Sequence, residues 1–324
     1  MPRLPLILFD VDGTLLGSGD QTHGMAVTVA CQDLFNVPGD RRLVDLAGRT
    51  DRYILLNLLQ AHGLTLEEVE PRIPEAIAYM CDYVAREIPA SLAERVLPGV
   101  SALLDALTAR DLALGLVTGN PLPIARSKLQ SAGIWAPFAR HDTVIGGFGD
   151  HSHERNDLPP LALDVAARIL GAPVSAADTI IIGDTPHDIA CARACASART
   201  IAVATGRRSA DQLHANDPDL LLPDLTDRDT ILNFLLAALT PPHGAGRPVS
   251  RPPGNPRHPP SLALATRLNQ TLKTLSLPGE GRRRSGGRVN TPVQRAAPPS
   301  LLLQAKYPPL PDSGRGVPPA GMAG

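Results

Sequence analysis

The sequence predicts an α/β fold with a parallel sheet, an inserted helical domain and a tail of different composition. Three observations carry this prediction. Apolar runs that end in polar residues alternate with segments of helical periodicity from residue 97 to 225. A purely helical pattern, 18–95, separates the first apolar run from the others. Proline, glycine and arginine are concentrated in residues 241–324.

Six short segments predict buried strands, because each is an apolar run ended by a polar or turn residue. They are LILF (6–9), LALGLVTG (112–119), a stretch near 142–146, DTIIIGD (178–184), TIAVATG (200–206) and LLLPDL (220–225). Four helices are predicted between them, at 97–110, 123–133, 158–171 and 188–198. Strands that alternate with helices are typical of a parallel sheet covered on both faces.

The block 18–95 interrupts this alternation directly after the first strand. Apolar residues recur at intervals of three and four in ILLNLLQ (54–60) and IAYMCDYV (77–84), which predicts helices. We therefore predict an α/β core of residues 1–17 and 96–240, and an α-helical cap domain of residues 18–95.

Residues 241–324 hold 17 of the 33 prolines and 12 basic residues, but only two acidic ones. This composition predicts a disordered tail, in which 262–277 has the leucine spacing of a transient amphipathic helix. The tail is either a solvated extension or an anchor for acidic partners. Nucleic acid is not an expected partner beyond weak contact with this basic tail.

No targeting or membrane-spanning segment is predicted. The first apolar run ends at Asp10 and is too short for a signal peptide, and no run of about 18 apolar residues follows. The four cysteines have no disulfide or zinc-site spacing, and we expect Cys191 and Cys195 to be buried on one helix face. These observations predict a cytoplasmic protein and leave its oligomeric state open.

Polar residues end four of the predicted strands: Asp10, Thr118, Asp184 and Thr205. Ligands bind beyond the carboxyl ends of the strands in such sheets, so we expect these residues to converge on one site. In FDVDGTL (9–15), Asp10 and Asp12 lie two residues apart and would face the same side. One such carboxylate can act as a nucleophile and its neighbour as a general acid and base.

The segment GDTPHD (183–188) adds Asp184 and Asp188 to the same edge. Massed carboxylates repel one another unless a cation lies among them, and oxygen ligands favour Mg²⁺. In VTGN (117–120), the Thr118 hydroxyl and the backbone N–H groups of Gly119 and Asn120 suit a phosphoryl oxygen as ligand.

In this order, DVDGT (10–14), TGN (118–120), a basic residue and GDTPHD (183–188) resemble the motifs of the haloacid dehalogenase-like hydrolase superfamily. The resemblance extends from residue 5 to about 235. The helical insert and LPGV (97–100) are similar to the phosphoglycolate phosphatase and β-phosphoglucomutase branch. The resemblance implies a Rossmann-like core, a helical cap and a small phosphorylated metabolite as substrate.

The resemblance also implies a role for each motif residue. Asp10 would be the nucleophile and Asp12 the acid and base, while Thr118 would hold a phosphoryl oxygen. Asp10, the backbone carbonyl of Asp12 and Asp184 would bind Mg²⁺, and Asp188 would steady the metal shell. The implied function is a Mg²⁺-dependent phosphatase that hydrolyses a small, phosphoglycolate-like phosphomonoester through an aspartyl-phosphate.

The family's third motif normally supplies a lysine, and the sequence departs from that pattern. The single lysine of residues 1–240, Lys128, lies in the helix after VTGN, and we expect it to be a solvated surface residue. Arg155 lies directly before the helix at 158–171, where the lysine would be. We predict that Arg155 bridges Asp10 and the phosphoryl group; the alternative is a loop arginine paired with Glu154 or Asp157.

In the predicted cap, GRTD (48–51) is expected to form a loop between helices. Arg49 would bind the remote end of the substrate, unless it is only an exposed loop charge, and His23 and Arg52 are weaker candidates of the same kind. Two alternative functions stay open. One is a phosphosugar mutase of the β-phosphoglucomutase type, and the other is a non-catalytic binding protein with this fold.

Overall fold

Six parallel strands form the central sheet in the computed structural model of this protein. The residues that the structure describes are 5–17, 20–140, 143–195 and 198–239. They belong to one compact unit, Met1–Arg247. The predicted disordered tail and its possible helix lie outside the described residues.

The strands in chain order are β1 (Leu6–Phe9), β2 (Ala113–Thr118), β3 (Ala139–Arg140), β4 (Thr143–Val144), β5 (Gly146–Phe148), β6 (Thr179–Gly183), β7 (Arg199–Val203) and β8 (Leu220–Leu222). The order within the sheet is β5-β2-β1-β6-β7-β8, and β3 pairs with β4 in a separate antiparallel ribbon. Every residue of β1, β2 and β6 is buried. Continuous apolar runs therefore form the middle of the sheet, as strands covered on both faces require.

The helices are α1 (Thr22–Phe35), α2 (Asp51–Ala61), α3 (Leu66–Val69), α4 (Ile73–Glu87), α5 (Val100–Thr108), α6 (Leu122–Ser131), α7 (Leu158–Leu170), α8 (Pro186–Ala194), α9 (Ala210–His214) and α10 (Arg228–Leu239). Among the described residues, no helix combines the length and the apolar character needed to cross a membrane.

Alternate side chains of each central strand enter different hydrophobic layers. In β1, Ile7 and Phe9 pack with buried residues of α5 and α10, whereas Leu6 and Leu8 pack with those of α7 and α8. Helices therefore cover both faces of the sheet, and the predicted α/β fold is confirmed. The buried Cys191 belongs to the second layer, and Cys195 is also buried, as predicted.

Helices α1 to α4, which we call the cap helices, lie between β1 and α5 in the chain. Helix α1 packs against α4, and α4 also packs against α6 of the sheet layer. Helices α2 and α3 begin after Thr50 and Thr65, because each threonine side chain accepts a hydrogen bond from a backbone N–H group of the first turn. The predicted boundaries of the cap, 18 and 95, stay predictions.

Two predicted elements differ in their limits. The helix expected from residue 97 begins at Val100, because Gly99 has a positive φ of 82° and the backbone N–H of Leu97 bonds to the carbonyl of Leu15. The strand expected near 142–146 is two strands, β4 and β5. The second of these, which pairs with β2, continues to Phe148 through two glycines that carry no apolar signal.

Candidate active site

Three buried carboxylates meet at the carboxyl edge of the sheet. Asp10 follows β1, Asp184 follows β6, and Asp188 lies in the first turn of α8. One oxygen from each lies within 4.8 Å of the others, and all three side chains are buried. Thr118 at the end of β2 and Thr205 just after β7 line the same cleft. The strand ends therefore converge, as parallel strands require.

Arg155 lies in the middle of these carboxylates and is only 5% exposed. Its Nη2 lies 2.9 Å from Asp10 Oδ1 and 2.5 Å from Asp188 Oδ1, and it donates to both. The Nη atoms also donate to the backbone carbonyls of Val117 and Gly48. A short 3₁₀ turn that starts α7 delivers the side chain to this position. Arg155 is therefore a buried partner of the carboxylates, and not a loop arginine paired with its sequence neighbours.

The site concentrates negative charge away from solvent. Burial raises the pKa of Asp184 to about 8, and the charges of Asp10 and Asp188 add to this rise. Burial also raises the pKa of Asp10 to about 6, although the positive charge of Arg155 opposes it. One arginine therefore does not neutralise the three carboxylates, and a further cation would stabilise their ionised forms.

The residues present fit a Mg²⁺ ion. All side-chain donors in the cluster are carboxylate oxygens, which this ion prefers. The Asp184 carboxylate lies between two glycines, and an added Cβ would stand 2.4 Å from its Oδ2 at Gly13 and 1.6 Å at Gly206. The chain therefore leaves space around Asp184 that any side chain would fill. Among the described residues, Asp184 accepts one hydrogen bond at Oδ1, from the Thr14 hydroxyl. Asp188 differs, because both of its oxygens accept hydrogen bonds, Oδ1 from Arg155 and Oδ2 from Thr185, which suits a supporting position.

The prediction that Lys128 is a solvated surface residue is wrong. Lys128 is 4% exposed, and its Nζ lies 2.8 Å from both carboxylate oxygens of Asp12. The same ammonium donates to Asn120 Oδ1 at 2.9 Å and lies 3.0 Å from His23 Nδ1. Lys128 shares a face of α6 with buried apolar residues, and its ammonium is enclosed by Asp12, Asn120 and His23.

The contact with Lys128 therefore keeps the side chain of Asp12 apart from the three clustered carboxylates. Partial desolvation in the cleft opposes ionisation, but the charges of Lys128 and His23 and the hydrogen bonds of Lys128 and Asn120 hold the pKa of Asp12 below its usual value. The carboxylate of Asp12 is thus directed to Lys128 and is not one of the three carboxylates that lie together.

Asn120, which lies just after β2, connects Asp12 and Lys128 to Thr118. Asn120 is buried, and its Nδ2 donates to Asp12 Oδ2 at 2.8 Å and to Thr118 Oγ1 at 2.7 Å. The carbonyl of Gly119 accepts a hydrogen bond from the backbone N–H of Asp51. The Asn120 side chain therefore orients Asp12 and Thr118, while Gly119 connects the sheet edge to the cap helices.

Arg49 also lines the cleft, on the loop before α2. Its guanidinium lies over the ring of Tyr53, 4.4 Å from the centroid, and its buried Nε has no partner among the described residues. His23 lines the cleft too and binds Asp51 through Nε2 at 2.7 Å. Arg52 points elsewhere and pairs with Glu70, so the weaker suggestion that it contacts the substrate is wrong.

The cleft formed by these groups has a volume of about 300 Å³. The sequence model of one family, described as haloacid dehalogenase-like hydrolase, matches residues 7–193, which is more than half of the chain. The chain belongs to this family.

Curated relatives of this haloacid dehalogenase-like hydrolase include two phosphatases. The "Probable phosphatase IndB" of Dickeya dadantii is 29% identical over 225 residues, which cover 69% of this chain and 91% of that protein. The "Phosphoglycolate phosphatase" of Rhodospirillum rubrum is 32% identical over 198 residues, which cover 60% of this chain and 76% of that protein. These similarities agree with the predicted family and the predicted hydrolase class.

Two solved structures show the same fold. A predicted phosphatase from Clostridium acetobutylicum has a TM-score of 0.51 at 20% identity, over 71% of this chain and 99% of that one. The β-phosphoglucomutase of Clostridium difficile also has a TM-score of 0.51, at 18% identity, over 73% of this chain and 97% of that one. The branch predicted from the motifs is thus represented among the structural neighbours.

In this member of the family, the contact of Lys128 with the site was not predicted from the sequence, and His23 was predicted only as a weaker candidate. A signal for Lys128 was present, since Ile124, Ala125 and Leu129 lie on the same helical face and are buried with it. A single lysine on the apolar face of a helix predicts a buried partner of opposite charge. His23 offered no comparable signal, because its neighbours in space come from α2 and α6.

Proposed function

We propose that this haloacid dehalogenase-like hydrolase is a Mg²⁺-dependent phosphatase that hydrolyses a small phosphomonoester through an aspartyl-phosphate. The observation that carries the proposal is the position of Asp10. This carboxylate ends β1 beside two further carboxylates, is held by Arg155, and shares a cleft with Asp12. A nucleophile, an acid–base group and a cation are thus within one cleft.

Asp10 acts as the nucleophile. Arg155 holds its Oδ1, so Oδ2 is free to bond to phosphorus while the bond between phosphorus and the leaving oxygen breaks. The guanidinium of Arg155 and the hydroxyl of Thr118 then donate to the phosphoryl oxygens, where negative charge accumulates. When bound by Asp10, Asp184 and the carbonyl of Asp12, with Asp188 in support, Mg²⁺ supplies further charge neutralisation to the transferred group.

Asp12 moves the protons. It gives a proton to the leaving oxygen, and it later takes one from the water that attacks the aspartyl-phosphate at phosphorus, which frees Asp10 and releases phosphate. Lys128 lies against both oxygens of Asp12 and favours the ionised form that activates water. The negative charge of a substrate in the cleft raises the pKa of Asp12 and favours the protonated form in the first step.

The proposed substrate is phosphoglycolate-like, which rests on the names of the relatives and on the size of the cleft. A cleft of about 300 Å³ suits a metabolite of a few carbon atoms with its phosphoryl group at Asp10. Arg49, on the loop that covers Gly119, would contact the remote part of this metabolite.

Substitution of Asp10 tests the proposal. With Mg²⁺ and p-nitrophenyl phosphate, Asp10→Asn should lower kcat by at least about 10³-fold, since the amide cannot attack phosphorus. Asp105→Asn, at an exposed position of α5, is the control and should keep full activity. Turnover that survives Asp10→Asn contradicts the nucleophilic role.

The same assay separates the alternative functions. Phosphate release that requires a sugar bisphosphate as activator would favour a phosphosugar mutase. A wild-type protein that hydrolyses no member of a panel of phosphorylated metabolites would favour a non-catalytic binding protein.

A further inference from the structure

Two arginines line the cleft from different elements and form no salt bridge with a described residue. Arg41 lies in the 3₁₀ turn Arg41–Leu43 between α1 and α2, and Arg207 follows β7. Both line the cleft that contains Asp10, Thr118 and Arg155. The cap helices and the sheet therefore each contribute one cation to the same space.

Their sequence neighbours behave differently. Arg42 forms a salt bridge with Asp40 and Arg208 forms one with Asp45, so nearby acids satisfy the neighbouring cations. Within the part of the chain that the structure describes, Arg41 and Arg207 form no salt bridge. In each pair of neighbours, the arginine that lines the cleft is thus the one that forms no salt bridge among the described residues.

Two further carboxylates, Asp20 and Asp51, line the same cleft. Asp20 Oδ1 accepts hydrogen bonds from Thr22, its buried Oδ2 has no partner among the described residues, and Asp51 binds His23. Neither carboxylate forms a salt bridge with Arg41 or Arg207 within the described residues. In that part of the chain, the two arginines are therefore not neutralised by an ion pair.

Bringing the two arginines together has an electrostatic cost. Partial burial lowers the pKa of Arg41, and the positive charge of Arg207 lowers it further. A bound anion between them would remove this repulsion, since charge-assisted hydrogen bonds from guanidinium groups are among the strongest in proteins.

The position of the Arg41 guanidinium depends on a glycine of α1. An added Cβ at Gly24 would lie 1.9 Å from Arg41 Nη1 and 2.3 Å from its Cζ. The absence of a side chain at residue 24 thus leaves the space that the guanidinium occupies at the edge of the cleft.

We propose that Arg41 and Arg207 form a distal anion subsite, which binds a second anionic group of the substrate, a carboxylate or a phosphate. The inference rests on the proposed function, because the first anionic group is the phosphoryl group at Asp10. It narrows the substrate class to phosphomonoesters that carry another negative charge. Arg49, which stacks on Tyr53, would contact the part of the substrate between the two anionic ends.

Paired substrates that differ by one anionic group test the subsite. The full-length protein is assayed with 2-phosphoglycolate and its amide, which lacks the carboxylate charge, and with propane-1,3-diol bisphosphate and propyl phosphate, which lacks the second phosphate. The wild type should prefer the charged member of at least one pair by about tenfold or more in kcat/KM. The pair with the larger preference tells whether the subsite takes a carboxylate or a phosphate.

Three variants probe the two arginines. Arg41→Gln and Arg207→Gln should each remove most of the preference for the charged substrate. Gly24→Ala keeps both charges but displaces the Arg41 guanidinium, so it should also weaken the preference. Arg42→Gln removes a neighbouring charge that lies on Asp40, and it should leave the preference unchanged.

A binding measurement separates this proposal from the proposed function. Isothermal titration of the wild type with phosphonoacetate and phosphonoacetamide, in the presence of Mg²⁺, needs no turnover. In one outcome, a protein without phosphatase activity still binds phosphonoacetate more tightly than phosphonoacetamide, and loses this preference in Arg41→Gln and Arg207→Gln. That result supports the subsite and overturns the proposed function. An active enzyme that treats both members of each pair alike, or whose arginine variants affect them equally, overturns the subsite.

Discussion

At the scale of single residues, Arg155 is the feature that distinguishes this site. It lies where the family resemblance predicts a lysine, directly before α7, and its planar group contacts two carboxylates and two backbone carbonyls at once. A lysine carries a compact charge and three donors with a different geometry. In Arg155, Nη2 holds Asp10 and Asp188 together, while Nη1 connects the same guanidinium to the carbonyl of Gly48.

Substitutions of Arg155 should separate its charge from its shape. Arg155→Lys should lower kcat/KM by about tenfold, because the charge is kept but fewer contacts form. Arg155→Ala should lower it by about 10²- to 10³-fold, since the developing phosphoryl charge loses a donor. Steady-state kinetics with p-nitrophenyl phosphate measure both effects, and circular dichroism checks that each variant is folded.

Arg168 provides the matched control. It lies on the exposed side of α7, the helix that follows Arg155, and bonds to the carbonyl of Asp164. Arg168→Ala should change kcat/KM less than twofold. Equal losses in Arg155→Ala and Arg168→Ala would show that Arg155 has no specific role.

At the scale of elements, the edge strand β5 depends on glycine. An added Cβ at Gly147 would lie 2.1 Å from the carbonyl oxygen of Leu158 and 2.7 Å from its carbon. The start of α7 therefore packs directly on the backbone of β5. Because Arg155 lies just before α7, this close packing also helps to place its guanidinium beside Asp10.

Gly147→Ala should disturb this packing. The methyl group meets backbone atoms that cannot move aside, so we expect a loss of about 1–3 kcal/mol in the free energy of unfolding. Chemical denaturation measures the loss. Gly17→Ala is the control, because its Cβ would meet the nearest atom at 3.5 Å, an ordinary contact. A Gly147→Ala protein as stable as the control would contradict the close packing.

At the scale of the whole molecule, the cleft exists because distant segments meet over the sheet edge. The backbone N–H of Asp51 bonds to the carbonyl of Gly119, and Arg208 pairs with Asp45. These contacts join the cap helices to loops that follow β2 and β7. Neither the sheet nor the cap helices alone would enclose the groups around Asp10.

The described fold ends with α10, whose Ile231 and Leu235 are buried in the main hydrophobic cluster. We therefore expect a protein that ends at residue 240 to keep its activity. Its free energy of unfolding should lie within about 0.5 kcal/mol of that of the full chain. A protein that ends at residue 225 lacks α10 and should be markedly less stable. Denaturation and phosphatase assays of the two truncations check this, and a loss of activity at 240 would show that the tail is needed.

Local sequence was enough to predict most of the fold and the main site residues. Apolar runs, helical periodicity and turn residues act over a few positions, so β1, β2 and β6 could be located without knowledge of their neighbours. Parallel strands share one carboxyl edge, so Asp10, Thr118 and Asp184 could be expected to meet there.

The environment of charged residues required the folded chain. The apolar face of α6 signals that Lys128 is buried, but only the fold shows that its partner is Asp12, 116 positions away. Likewise, Arg41 and Arg207 line one cleft although 166 positions separate them. Burial and pairing of a charge depend on segments far away in sequence, which local patterns do not encode. The motifs therefore predicted which residues meet at the edge of the sheet, whereas only the fold revealed that Lys128 is the partner of Asp12 and that Arg41 and Arg207 line the same cleft.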